Sequence, residues 1–152
     1  MHDGKVMAAF VLLMFAFLAN FPVESQCATY HCTTVSEFNT AEKQALPGDV
    51  IELANGTWKN VNLEINAIGK SSSLITLKAE TAGKVYLTGS STLKIGGKYI
   101  VVDGLVFRDG YLSSGDHVIV FRDSSENPAS YCRLTNCAMI EYNPSDTNTQ
   151  YN

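Results

Sequence analysis

The residues best suited to bind an anionic ligand are four basic side chains in the C-terminal half: Lys98, Arg108, Arg122 and Arg133. A guanidinium group pairs well with a carboxylate or a sulfate, so these residues could line a groove for an anionic sugar chain. The alternative is that strand positions facing solvent simply carry charge. We single out Arg108 and Arg122 as candidate ligand-binding residues.

Other reactive side chains lack a partner that the sequence identifies. His117 precedes an apolar run, but a catalytic base needs an oriented partner. Asp103 and Asp109 stand next to glycines and could bind calcium, although Asp-Gly pairs are mostly turns. We therefore interpret these residues as structural.

The four cysteines form two C-x4-C pairs, Cys27/Cys32 and Cys132/Cys137. The C-x-x-C spacing that is typical of zinc and redox sites is absent. A Cys27–Cys32 disulfide would close a short loop, and we predict it, although three pairings are possible. Five fully extended residues span ~16 Å, so Cys132 and Cys137 can bridge only if the chain bends between them.

The N-terminus has the pattern of a secretory signal. Residues 6–21 are uncharged and mostly apolar, Lys5 precedes them, and Pro22-Val23-Glu24-Ser25 follows. This pattern predicts a signal peptide at residues 1–25, cleaved after Ser25; a membrane span usually needs ~20 apolar residues. The alternative is an uncleaved anchor. We expect an extracellular protein, or a periplasmic one in a bacterium, with its cysteines in an oxidising compartment.

Composition restricts the function classes. Hydrophobic residues make up 45%, charged residues 17%, and the net charge is -4. This balance argues against a disordered chain and against a nucleic-acid binder, which normally carries a basic surface. Asn55-Gly56-Thr57 is an N-glycosylation sequon, so Asn55 is a candidate acceptor if the pathway is eukaryotic.

One helix and many short strands are predicted. Thr34 and Glu37 fit a capping box, and apolar residues then recur at helical spacing until Pro47-Gly48, which predicts a helix over residues 35–46. After Gly48, short β runs alternate with Gly or Asn. These runs are Asp49–Leu53, Val61–Ile65, Leu74–Ala79, Val85–Thr88, Leu93–Ile95, Tyr99–Val102, Leu105–Phe107, Val118–Phe121 and Leu134–Ile140.

Two architectures fit many short strands. Hairpins would join them into a sandwich or barrel, and Asp103-Gly104 is a strong hairpin signal. A parallel β-solenoid would instead coil three strands per turn, at about 20–25 residues per coil. Ile51, Ile75 and Ile100 are 24 and 25 residues apart, which favours the solenoid. We predict an inward stack of Ile51, Ile75, Ile100 and Val118.

A known family shows the same series of segments in the same order. These are Pro47–Trp58 (PGDVIELANGTW), Gly69–Ser71, Ile75–Glu80, Gly83–Val85, Leu87–Gly89, Val102–Phe107 and Cys132–Cys137 (CRLTNC). Residues 34–143 thereby resemble the N-terminal part of the chondroitinase-B-like and alginate lyases, polysaccharide lyase family six. The resemblance implies an all-β fold, a right-handed parallel β-helix with an N-terminal capping helix. It also makes Glu141 and Tyr142 candidate sugar contacts.

The resemblance further implies β-elimination on alginate or on dermatan-type chondroitin. In that family a calcium ion held by Asn and Glu neutralises the uronate carboxylate, a lysine takes the C5 proton and an arginine assists. No position of this chain matches those motifs. We assign no catalytic and no metal residue here, expect calcium only in the full-length family enzyme, and expect this chain alone to be inactive.

The expected organisation has four parts: a signal peptide (1–25), a mobile N-terminal segment (26–33), the cap helix with the first coils (34–143), and a polar tail (144–152). A solenoid ending on that tail would leave an uncapped edge, so we expect a truncation. We expect the N-terminal portion of a secreted lyase whose partner is an acidic polysaccharide, with no nucleic acid and, after signal cleavage, no membrane. The alternative is a non-catalytic β-helix module that binds glycans or proteins.

Overall fold

The computed structural model describes residues 26–112, 116–122 and 128–142. These residues form one helix and twelve short strands. In chain order they are β1 (Thr29–Cys32), α1 (Val35–Gln44), β2 (Val50–Leu53), β3 (Gly56–Lys59), β4 (Asn62–Ile65), β5 (Ile75–Ala79), β6 (Val85–Gly89), β7 (Thr92–Ile95), β8 (Ile100–Asp103), β9 (Leu105–Gly110), β10 (Ile119–Val120), β11 (Arg133–Thr135) and β12 (Ala138–Tyr142).

The strands form three parallel sheets. The first has the order β1-β2-β5-β8-β11, the second β3-β6-β9-β12, and the third β4-β7-β10. Each coil therefore places one strand in each sheet: β2 to β4 form the first coil, β5 to β7 the second and β8 to β10 the third, while β11 and β12 begin a fourth. This is the predicted parallel β-helix. The hairpin alternative at Asp103-Gly104 is wrong, because β8 and β9 on either side of it belong to different sheets.

The register of the first sheet corrects the predicted stack. Ile75 pairs with Ile100, as predicted, but Ile51 pairs with Leu77, two residues beyond Ile75. Side chains alternate along a strand with a period of two, so this offset keeps Ile51 facing inward, and it is fully buried. Val118 does not join the stack: its carbonyl oxygen accepts from the amide of Leu93 beside the third sheet.

The interior is a continuous apolar stack along the axis of the coils. Its members have an exposed fraction of at most 1%: Ile51, Leu53, Leu63, Ile65, Ile75, Leu77, Val85, Leu87, Leu93, Ile95, Ile100, Val102, Leu105 and Phe107. Full burial of such a side chain stabilises the fold by roughly 1.5–3 kcal/mol. In β4 and β7 the positions between these residues are polar and point outward, whereas in β8 and β9 the intervening Val101 and Val106 are themselves buried.

Helix α1 covers the N-terminal end of this stack. The predicted capping box is confirmed: the Thr34 hydroxyl accepts from the Glu37 amide at 3.2 Å, and a Glu37 carboxylate oxygen accepts from the Thr34 amide at 3.0 Å. Phe38 and Ala41 are buried against the core. The helix ends at Gln44, two residues before the predicted end, because the Leu46 amide donates to the Asp49 carboxylate.

Two strands were missed by the sequence patterns, and the single run predicted at Leu134–Ile140 is two strands, β11 and β12. Residues 29–32, predicted to be mobile, form β1, which pairs in parallel with β2. Residues 56–59, predicted to begin as an Asn-Gly turn, form β3, which pairs with β6. Both strands are only four residues long, and their hydrogen-bond partners lie on distant parts of the chain. A local sequence pattern therefore gives little indication of either strand.

Candidate binding groove

A groove of about 660 Å³ lies on the outer face of the third sheet. Its lining combines an amide, hydroxyls, two carboxylates, an ammonium and an imidazole with one aromatic ring. The lining residues are Asn62, Leu63, Glu64, Ser90, Thr92, Lys94, Tyr111, Leu112, Asp116, His117 and Val120. A concave site of this size with a few convergent polar groups fits a small ligand or one or two sugar units.

The floor of the groove follows directly from strand alternation. In β4, Leu63 and Ile65 point into the core, so Asn62 and Glu64 point outward. The neighbouring strand β7 presents Thr92 and Lys94 in the same way, and the register aligns Asn62 with Thr92 and Glu64 with Lys94. Two outward rows of polar side chains therefore stand side by side.

The wall of the groove comes from four described residues between β9 and β10: Tyr111, Leu112, Asp116 and His117. Only two residues separate β6 from β7, whereas residues 111–118 connect β9 to β10. The amide of Tyr111 donates to the carbonyl oxygen of Gly89 at 3.0 Å, which ties the start of this connection to the second coil. Leu112 is buried, while the ring of Tyr111 is 54% exposed at the rim.

Hydrogen bonds on the floor leave specific donors unengaged. Thr92 donates its hydroxyl to Asn62 Oδ1 at 2.9 Å, which orients the Asn62 amide nitrogen away from that contact. Glu64 Oε1 accepts from Asn66 Nδ2 at 2.9 Å. Within the described residues, Lys94 forms no ion pair, although Glu64 is its neighbour across the strands.

Arg108 and Glu141 lie on a different face, the outside of the second sheet. Arg108 Nε donates to Asp109 at 2.6 Å, and its guanidinium lies 5.4 Å from the centre of the Tyr86 ring. The Asp109 carboxylate raises the pKa of Arg108, and Glu141 contributes to the same shift. The structure thus brings Arg108 and Glu141 into one exposed cluster, with the guanidinium already paired.

The two remaining predicted sugar contacts, Arg122 and Tyr142, are not part of the Arg108–Glu141 cluster. Arg122 follows β10 and forms a backbone bridge with Pro128. Tyr142 is half-buried, with its ring edge-on to Phe107 and its hydroxyl donating to the carbonyl oxygen of Ser91. Burial raises the pKa of Tyr142 to about 12. Its ring and hydroxyl are therefore engaged inside the fold.

The predicted Cys27–Cys32 disulfide is not formed, and all four cysteines are free thiols. The extended strand β1 ends at Cys32, whose buried thiol donates to the carbonyl oxygen of Tyr30, whereas Cys27 is exposed. Burial is the main cause that raises the pKa of Cys32. Cys132 and Cys137 also donate to backbone carbonyl oxygens.

Asn55 is exposed, so the sequon remains a prediction. Its side-chain amide both donates to the Thr81 hydroxyl at 3.0 Å and accepts from the Thr81 amide at 3.1 Å. His117, which lacked a partner in the sequence, lies with Asp116 in the groove wall. Sequence patterns did not indicate Asn62 or Lys94, because outward polar residues on a strand are common.

Among the described residues, no group of three or more His, Cys, Asp or Glu side chains is placed to hold a metal ion. Across the same ranges, no helix has the length and apolar character that a membrane crossing requires.

Comparison with known proteins identifies the family. The chondroitinase B family model matches residues 32–152. This chain belongs to the chondroitinase B family. Comparison with curated proteins gave no match. The chondroitinase B assignment confirms the resemblance seen in the sequence. Solved structures of lyases that are similar to this chain support the same assignment.

Three solved structures are similar to this chondroitinase B family member. The PL6 family alginate lyase AlyGC is 41% identical with a TM-score of 0.70, over 73% of this chain and 15% of that one. The PL6 family polysaccharide lyase Pedsa3628 from Pseudopedobacter saltans is 40% identical with a TM-score of 0.70, over 80% and 27%. A mannuronic acid specific family 6 lyase from human gut microbiota is 28% identical with a TM-score of 0.63, over 72% and 26%. The chain thus spans about a quarter or less of each relative.

Proposed function

We propose that this chain forms the capped first coils of a secreted polysaccharide lyase that cleaves a uronic-acid-containing polysaccharide by β-elimination. The observation that carries the proposal is the family match over residues 32–152, together with 40–41% identity to two lyases. Alginate is the first substrate we propose, because one of these two is an alginate lyase. Chondroitin or dermatan sulfate is the second, because of the family's name.

We place the elimination step in coils other than these. Removing the C5 proton of a uronate requires a base within hydrogen-bond reach and stabilisation of the charge that develops on the carboxylate. No position in this sequence matches the lysine and arginine motifs of the family. The described coils then serve as the closed end of the solenoid and as a surface along which the polysaccharide can bind.

The test is a pair of lyase assays with alginate and dermatan sulfate in the presence of calcium, followed by the ultraviolet absorbance of unsaturated uronate. We expect no rise with this chain alone. We expect a rise when residues 32–142 of this chain replace the equivalent coils of the Pseudopedobacter saltans lyase. The same graft taken from the gut lyase is the matched control for the junctions.

Two outcomes would contradict the proposal. A graft that is folded and monodisperse but inactive, while the control graft is active, would show that these coils do not support a lyase. Cleavage by this chain alone would show that the elimination step is wrongly placed. Binding of the oligosaccharides without cleavage by any graft would favour the second candidate, a non-catalytic glycan-binding module, which the unengaged donors of the groove also support.

Secretion is part of the proposal and has its own test. If residues 1–25 are a signal peptide, the protein recovered outside the cytoplasm begins at Gln26, and N-terminal sequencing detects this directly. Recovery of a membrane fraction that still begins at Met1 would instead identify an uncleaved anchor.

A further inference from the structure

We infer that the groove on the third sheet binds one uronate unit of an acidic polysaccharide, with Lys94 as the counter-ion of its carboxylate. The choice of a uronate as the ligand rests on the proposed function. The assignment of the groove and of Lys94 rests on the geometry of β4 and β7 in the third sheet, and it does not involve the Arg108 cluster on the second sheet.

The first argument is the unpaired charge of Lys94. A lysine directly across from a glutamate on a neighbouring strand can form a stabilising ion pair. Here Glu64 Oε1 accepts from Asn66 Nδ2 at 2.9 Å, and Lys94 has no ion-pair partner among residues 26–112, 116–122 and 128–142. The ammonium therefore has three donors to offer at the floor of the groove.

The second argument is the orientation of Asn62. Its Oδ1 is occupied by the Thr92 hydroxyl at 2.9 Å, which leaves the two hydrogens of Nδ2 free to donate. Asn62 and Lys94 thus form a row of donors along neighbouring strands. A uronate presents a carboxylate next to ring hydroxyls, and both kinds of group accept hydrogen bonds from such donors.

The third argument is the opposite wall. Asp116 and His117 are exposed side chains that can accept hydrogen bonds from sugar hydroxyls. The Tyr111 ring at the rim is 54% exposed and can pack against the apolar face of a sugar ring. Because Glu64 and Asp116 are also acidic, Lys94 alone favours a carboxylate, and its removal must weaken the binding of a charged sugar more than that of a neutral one.

The experiment measures binding of trimannuronate to the full chain by calorimetry, with mannotriose as the uncharged analogue. We expect the Lys94→Met variant to bind trimannuronate about tenfold more weakly, the factor expected for one charge-assisted hydrogen bond in an open groove. Lys94→Arg keeps the charge and should bind nearly as the wild type does. Lys84→Met removes the same charge from an exposed residue outside the groove and should change nothing.

Each alternative result has a defined meaning. Equal binding by wild type and Lys94→Met, equal binding of mannotriose and trimannuronate, or no binding by the wild type would each overturn the assignment. An active lyase graft in which Lys94→Met has no effect on trimannuronate binding would leave the proposed function standing and reject the groove. Lys94-dependent binding with an inactive graft would do the reverse.

Discussion

The hydroxyl group of Tyr142 donates a hydrogen bond to the backbone carbonyl oxygen of Ser91, 51 positions earlier in the chain. Ser91 lies in the second coil, whereas Tyr142 ends β12 in the fourth. The Tyr142 ring lies edge-on to Phe107 of the third coil, with 6.3 Å between ring centres. At Gly110 an added Cβ would collide with this ring. Tyr142 therefore joins three coils next to the segment that carries Tyr111 to the groove rim.

The first prediction concerns the stability that this hydrogen bond provides. Tyr142→Phe keeps the ring contact with Phe107 and removes the hydroxyl, which should lower the free energy of unfolding by about 1 kcal/mol. Urea unfolding measures the change. Tyr131→Phe is the matched control, because Tyr131 is 77% exposed and should be unaffected. A Tyr142→Phe variant as stable as the wild type would show that the bond is not formed in solution.

The second prediction is a fall in stability at alkaline pH. Burial raises the pKa of Tyr142 from 10.0 to about 12. The folded protein therefore retains this proton more tightly than the unfolded chain, so the contribution is complete below about pH 10 and is lost as the pH rises toward 12. In Tyr142→Phe this part of the decline should disappear. Unfolding free energies of both proteins between about pH 8 and pH 11 test this, and parallel curves would refute it.

The third prediction concerns Asp49, which is only 3% exposed. Its carboxylate accepts from the amides of Ala28 at 2.7 Å and Leu46 at 2.8 Å, and so connects the start of β1 to the end of α1. Asp49→Ala leaves both amides without this acceptor and should cost about 2–4 kcal/mol, with Asp49→Asn intermediate. Asp116→Ala, at an exposed position, is the control. Similar denaturation midpoints for Asp49→Ala and the control would disprove this role.

The fourth prediction concerns the N-terminal thiols. Cys27 is exposed, whereas Cys32 is 1% exposed and has its pKa raised mainly by burial, with Glu37 adding to the effect. Because the thiolate is the reactive form, iodoacetamide should alkylate Cys27 in the folded protein and Cys32 only after unfolding. Peptide mass spectrometry measures both. If neither residue reacts until a reductant is added, the two form the disulfide that the sequence suggested.

Local signals were sufficient for much of the fold. The capping box at Thr34 and Glu37 depends on residues three apart, and the inward aliphatic positions of β4 or β7 depend on a period of two, so both can be read along the chain. The strand β1 was not predicted because the strand with which it pairs, β2, lies beyond the intervening helix in the sequence. The pairing of Ile51 with Leu77 was not predicted for the same reason, because the register between coils depends on residues that are far apart in the sequence.

The family, the capped parallel β-helix and the apolar residues of its interior follow from the sequence alone, because each depends on an ordered series of motifs or on alternation between neighbours. Which polar residues share a site follows from the three-dimensional fold and not from the sequence patterns. Asn62 and Thr92, like Glu64 and Lys94, are 30 positions apart and meet only through the parallel register of β4 and β7. Within the described residues, Lys94 forms no ion pair with its cross-strand neighbour Glu64, whose Oε1 accepts from Asn66, and no pattern of residue types encodes this arrangement.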